Sequence, residues 1–373
     1  TTGSNNVAVG QKALEENTTG DYNTAVGAYA LDDATTADSN TAIGYNAATA
    51  ITTGGYNVAL GDSALIASTT GVNNVAIGYQ TLNNSTDKFA NVAIGYRACK
   101  NNNSNYGVFI GDRAASNGIV GGEKNVAVGH YSLFSLTTGA YNTAIGANTL
   151  DDNTTASNNT AIGYAALSAN TTGTLNTAVG GEALKDNVTG QQNSAFGYKA
   201  LEDNTTNNNT AFGAYAASLT TTGGDNTAVG QAALYTNTTG TNNTAIGLKA
   251  LYLATTASNN TAVGKDALYA NTTGASNVAV GAYALDACTT SPSNTCIGTN
   301  AGGAITTGNG ENVCVGNNAG LGMTTGQQNI IIGDNACATG TLTGNLNTVI
   351  GDNAAINLST GEANTFIGGA AGA

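Results

Sequence analysis

Residues Asn73–Gly78 read NNVAIG, and near-copies of this phrase run the length of the chain: NTAVG closes at Gly27, NTAIG at Gly44 and NVALG at Gly61. Twenty-two closing glycines lie between Gly10 and Gly368; of the 21 steps between them, sixteen are 17 residues, two are 16 and three are 18. Self-similarity at a fixed short period is the mark of a repeat architecture, in which each unit buries its apolar face only by stacking on its neighbours. No shift in composition marks a boundary. Residues 1–373 therefore read as one continuous array, with irregular coils at 88–130 and variant coils at 296–373.

A full unit is N-T-A-V-G-x-x-A-L-x-x-N-T-T-G-x-x. Ala13 and Leu14 follow Gly10, and Ala267 and Leu268 follow Gly264; the Asn-Thr-Thr-Gly turn recurs at Asn17–Gly20, Asn170–Gly173 and Asn271–Gly274. Gly and Asn there supply positive φ, and Asn and Thr side chains bond nearby backbone. Seventeen residues are too few for a strand, a full helix and two turns. The expected fold is all-β: a parallel β-solenoid (β-roll) of about 22 coils of ~17 residues, with two short strands per coil. Stacked at about 4.8 Å, the coils would make a rod roughly 100 Å long, with amide ladders from Asn and aliphatic ladders from Val and Ile. A leucine-rich-repeat-like unit with one helical turn at x-x-A-L is the alternative, although its usual period is longer.

Composition agrees with a folded array. Glycine is 51 of 373 residues and only 9% are charged, yet 41% are apolar, which separates the chain from disordered polar sequences. Ten Lys and Arg against 23 Asp and Glu give a net charge of −13, so no basic footprint for nucleic acid exists. No apolar run is long enough to span a bilayer. The chain begins in mid-phrase without Met and neither end carries a cap. The expectation is a processed chain whose ends join further protein or other copies.

Side chains alternate along a strand, so Thr/Val and Val/Ile share one face of N-T-A-V-G while Asn, Ala and Gly share the other. The branched face reads as core. The smooth face, with Ala25, Ala42, Ala59, Ala76, Ala93, Ala127, Ala144 and Ala161, then reads as a self-assembly surface for another copy. A thin roll in which Ala faces the opposite wall is the open alternative. Acidic residues gather just after A-L, as at Glu15–Glu16, Asp32–Asp33, Asp151–Asp152 and Glu202–Asp203, and mark an exposed edge.

Asn5–Gly10 (NNVAVG), Asn73–Gly78 and Ser276–Gly281 (SNVAVG) resemble the N-S-V-A-I-G repeat in heads of trimeric autotransporter adhesins of the YadA type. The NTAxG…AL…NTTG unit is also similar to repeat arrays of phage tail-fibre-like proteins. The resemblance covers the whole chain, with Thr usually in place of Val and a longer period than the adhesin repeat. It implies a left-handed β-roll packed as a homotrimer at a cell or virion surface, whose head binds host-surface glycan or protein.

Candidate sites lie where the phrase is broken. No GxSxG, HExxH or P-loop occurs and His130 is the only His, so the chain reads as a non-enzyme without cofactor. The disturbed stretch 88–130 holds Lys88, Arg97, Lys100, Arg113 and Lys124, half of the basic residues. Arg97 and Arg113 each stand two residues after a repeat Gly in successive coils, about 5 Å apart, and could clamp a carboxylate or sulfate. The proposed ligand set is Arg97, Lys100, Arg113, Lys124 and His130; the alternative is a bulged coil balanced by Asp87, Asp112 and Glu123. Tyr235, Tyr252 and Tyr269 share one phase, and Tyr45, Tyr79, Tyr96, Tyr164 and Tyr198 follow repeat glycines; these stripes read as turn cover before adhesion. Asp334 and Asp352, like Asp62 and Asp112, follow repeat glycines, but the calcium-binding nonapeptide is missing and no metal is expected. Cys296 and Cys314 occupy the Ala phase of adjacent coils, within range of each other but with poor geometry for a disulfide, and Cys99 and Cys337 stand where Leu usually does.

The leading expectation is an extracellular structural and adhesive fibre that assembles with copies of itself, as a homotrimer or filament, and displays a binding surface. A self-assembling filament or sheath without a ligand is the alternative. Ice binding by ordered Thr rows (Thr24 and Thr41, Thr143 and Thr160) is a third, opposed by the core-facing position expected for that Thr.

Overall fold

A computed structural model describes residues 2–373. They form two compact units, one running to Gln191 and the other spanning Gln192–Ala373. Both are parallel β-solenoids without helices among the described residues. The first unit carries eleven strands, from β1 (Val7–Val9) to β11 (Thr177–Val179); the second carries eleven, from β12 (Ser194–Phe196) to β22 (Thr365–Ile367). Within each unit every strand pairs in parallel with the next. Register is set by the phrase: Thr24, Ala25 and Val26 pair with Thr41, Ala42 and Ile43, and Thr244, Ala245 and Ile246 with Thr261, Ala262 and Val263. Like residues therefore stack on like.

Each coil holds one three-residue strand, where two were expected. The x-x-A-L side cannot be extended, because two of its residues are left-handed. After Gly27, Tyr29 has φ 62° and Leu31 φ 50°; after Gly247, Lys249 has 53° and Leu251 52°. Turns of alternating hand replace the second strand. They still join coil to coil: the Leu31 N–H donates to Ala47 O at 3.1 Å, and the Tyr29 N–H to Gln11 O at 2.9 Å. Backbone pairing is thus continued on this wall without extended geometry.

The faces are the reverse of the expected ones. Ala25, Ala42, Ala59, Ala76, Ala93, Ala127, Ala144 and Ala161 are all 0% exposed within their own chain. They form no surface and cannot be an assembly face. The coil is narrow: its interior takes a small strand residue on one wall and the Leu of A-L on the other, as with Ala25 and Leu31, both fully buried. The branched residues point outward instead. Ile43, Ile145 and Ile162 are 38–39% exposed in the first unit, and Phe212, Ile246 and Ile297 are 40–45% exposed in the second. The Thr rows share this outer face, half-buried, so the Thr is not core-facing.

Buried amides fasten the coils together. Asn23, Asn40, Asn57, Asn74 and Asn91 are at most 1% exposed. The Oδ1 of each of the first four accepts the backbone N–H of the next Asn, that of Asn91 accepts the Gly107 N–H, and each Nδ2 reaches a carbonyl of the following turn, as Asn57 does to Gly71 O at 2.8 Å. The repeat glycine is required on two grounds. Gly44 has φ +140°, and a Cβ there would lie 2.5 Å from Gly61 O in the next coil.

Candidate functional site

The irregular coils are built on the strands Val92–Ile94, Val108–Ile110 and Val126–Val128, which keep the register of the others. Their strand walls are ordinary. The change is in the connecting arcs, where the Asn-Thr-Thr-Gly turn is replaced by NNNSNYG at 101–107 and SNGIVGG at 116–122. An isolated parallel bridge, Asn102 to Val120, joins the two arcs.

Arg97 and Arg113 both take left-handed φ, 54° and 55°, at the second position after the repeat glycine. Backbone bonds set them one coil apart: the Arg97 N–H donates to Tyr79 O at 2.9 Å and the Arg113 N–H to Tyr96 O at 2.8 Å. Tyrosines hold the guanidinium groups. Arg97 lies 5.2 Å from the Tyr96 ring and 6.0 Å from that of Tyr79, and Arg113 lies 5.4 Å from Tyr96 and 5.5 Å from Tyr131. The Arg97 Nε donates to Gln80 Oε1 at 3.1 Å, and an Arg113 η nitrogen to the Tyr131 hydroxyl at 2.5 Å. Stacked guanidiniums keep most of their donors free for a ligand.

Arg97, Lys100 and Arg113 line one surface cavity of about 250 Å3, with Asn101, Ser116, Asn117 and Phe134. None of the three cations forms a salt bridge among the described residues. The carboxylates expected to balance them are engaged elsewhere. Asp87 pairs with Lys88 at 3.1 Å, Asp112 lies 3.6 Å from the His130 imidazole, and Glu123 accepts from Asn105 at 3.1 Å. Arg97, Lys100 and Arg113 therefore touch no carboxylate among the described residues, although Asp112 acts on Arg113 through space.

Lys124 and His130 do not join this cluster. The Lys124 ammonium lies over the Tyr141 ring at 5.2 Å, and the His130 ring packs against Tyr131 beside Asp112. A second cavity, of about 350 Å3, is lined by Asn84, Thr86, Asn101, Asn102, Asn103 and Ile119. Asn101 belongs to both. No motif marks these amides as site residues; their signal in the sequence is Asn101–Asn103 standing in place of a turn.

The tyrosine stripe of the second unit stacks on itself: Tyr235, Tyr252 and Tyr269 have centroids 5.3 and 5.2 Å apart and planes within 8°. Their faces are used within the stack, which leaves edges toward solvent. Cys296 and Cys314 are register partners and free buried thiols. Their mutual hydrogen bond, followed by burial, raises Cys296 well above its ordinary value, and burial pushes Cys337 up to about 12. Such thiols are packing groups, not nucleophiles. No protein-family model matches this chain, and no curated protein matches it significantly.

Proposed function

We propose that the chain is an extracellular structural and adhesive fibre segment, a repeat scaffold that assembles with copies of itself and displays a binding surface. The observation that carries this reading is the outer face of the strands. Parallel strands are ordinarily covered on both sides. Here the outer side is a stripe of Thr, Val and Ile, apolar at nearly every rung and half open to solvent. Its knobs repeat once per coil. A second copy of the same chain has the matching period, so its knobs fall between these at every rung; a partner of another period would clash or leave gaps.

Sedimentation of the full chain, with paired Val229→Lys and Ile246→Glu substitutions, tests this. The expected result is a discrete oligomer, a trimer on the resemblance to the adhesin heads, that falls to monomer in the variant while circular dichroism stays unchanged. An unaltered oligomer overturns the assignment of the face, and open-ended growth with concentration favours a ligand-free filament. Ice binding regains a foothold because the Thr row lies outward. The face is not uniform, however: Ser194 replaces Thr at one rung, and Phe196 and Phe212 stack upon it with centroids 4.3 Å apart. Thermal hysteresis of the unsubstituted chain tests the ice reading, because the paired substitutions lie on the face that bears the Thr row.

A further inference from the structure

The geometry points to a binding site for an anionic oligosaccharide on the irregular coils, with its acid group held by Arg97, Lys100 and Arg113 and its hydroxyls by the neighbouring asparagines. It rests on the reading of the chain as one that displays a binding surface. Three features carry it.

The first is charge. Three cations converge on one cavity without a salt-bridge partner among the described residues, in a chain of net charge −13. Long-range attraction does not draw an anion to such a protein, so a fixed local clamp has to do so. The second is order. Arg113 lies by the Tyr96 and Tyr131 rings and Arg97 beside the stacked Tyr79–Tyr96 pair, each with one hydrogen bond, so little side-chain entropy is lost on binding. Among the described residues, the Arg97 η nitrogens keep no protein acceptor, and a carboxylate or sulfate oxygen fits them.

The third is what adjoins the clamp. The second cavity shares Asn101 with the first; the Asn84 Nδ2 donates to Asn101 Oδ1 at 2.6 Å, which leaves the Asn84 Oδ1, the Asn101 Nδ2 and the Asn103 amide to accept from and donate to a ligand. Hydroxyl-rich sugars need that pairing; a bare inorganic anion does not. Ile119, 68% exposed, gives an apolar patch for the C–H face of a sugar ring. Two cavities on either side of Asn101's lining, one cationic and one amide-lined, suit a chain of several sugars that carries its charge at intervals. Lys124 and His130, although basic, take no part.

Calorimetry on the full chain tests the site with three probes: a hexamer of linked uronic acids, a heparin-derived hexasaccharide and a neutral glucose hexamer. The expected result is that one or both acidic hexamers bind and the neutral one does not. Uronate binding assigns the clamp to carboxylate, and binding of the heparin fragment alone assigns it to sulfate. Arg97→Gln with Arg113→Gln should weaken binding by roughly 10- to 100-fold, as expected for lost charge-assisted hydrogen bonds. Lys124→Gln, outside the cavity, should leave it unchanged, and Asn101→Ala should weaken it less than the arginine pair. Equal affinity of the double variant, or no preference for acid over neutral sugar, overturns the proposal. The outcome is independent of assembly: sedimentation reports whether copies associate, and the calorimetry is repeated on the Val229→Lys, Ile246→Glu monomer.

Discussion

Asn57 shows how much one repeated residue carries. Its backbone N–H and its Nδ2 both donate to Asn40 Oδ1, each at 3.0 Å, and its own Oδ1 accepts from the Asn74 N–H at 3.0 Å. It is 1% exposed, so none of these groups can turn to water instead. Asn57→Ala leaves the Asn74 N–H and the Gly71 carbonyl without partners in a dry interior. A loss of about 3 kcal/mol is expected in denaturant unfolding, and Asn57→Asp should cost more, since it adds a buried charge. The ladder was legible in the sequence, because an amide recurring at one phase offers a donor and an acceptor at every rung. The Asn-Thr-Thr and Asn-Val-Thr turns have the form of N-glycosylation sequons, but their Asn170, Asn187 and Asn237 are 0% exposed, with Nδ2 donating to the turn glycine carbonyl, so the turn explains them without sugar. Arg97 and Arg113 were legible as neighbours because the period fixes their phase. That Lys124 and His130 turn away was not, because side-chain direction on a bulged arc depends on which ring or carboxylate lies nearby.

Within one coil, the strand centre and the residue six positions later share the interior. The common pair is Ala with Leu, as at Ala25 and Leu31. Where one grows, the other shrinks: Phe109 stands with Ala115, Cys296 with Gly302, Cys314 with Gly320, Val349 with Ala355, and Phe366 with Gly372. The contacts explain it. A Cβ on Gly302 would come within 2.6 Å of the Cys296 Sγ, and one on Gly320 within 2.7 Å of the Cys314 Sγ. Phe109→Ala should therefore cost about 3–5 kcal/mol through the cavity it leaves, and Ala115→Leu alone about 1–3 kcal/mol through overpacking. Together they restore the common pair. A double-mutant cycle in thermal or denaturant melts should show the second change recovering more than half of the first loss. Additive losses would show that the two do not share space. The substitution of Leu by Cys at 99 and 337 is visible in the sequence, but the inside of the phrase was misread. Alternation separates two faces without saying which is interior. Coil width decides that, and a strand opposed by Leu across so thin a roll has room only for Ala.

At the scale of the whole molecule, the excess of acid is plain from composition; its partial burial is not. Asp32, Asp151 and Asp286 have carboxyls raised above their ordinary range, in each case first by desolvation. One oxygen of Asp32 and one of Asp151 are buried without a partner. A raised folded-state value means that folding favours the protonated form. The stabilisation is fully present below the ordinary carboxylate value of about 3.9 and is lost as pH rises through the raised values. Asp87, lowered by Lys88, acts in the opposite sense but is fully exposed. The melting temperature should accordingly rise as pH falls from neutrality into the mildly acidic range. Asp151→Asn should raise it at neutral pH and flatten the dependence; a melting temperature that falls on mild acidification contradicts this assignment. The exchange of volume between strand centre and opposite wall has a further consequence, for the gene as much as for the fold. Because compensation closes within one coil, a coil inherits both halves of its own fit. Duplication or loss of one whole repeat leaves every remaining interior intact, whereas a crossover between the two halves of unlike repeats joins Phe to Leu or Cys to Leu. Length can drift by whole rungs, while the boundaries at which repeats recombine are held to the turns.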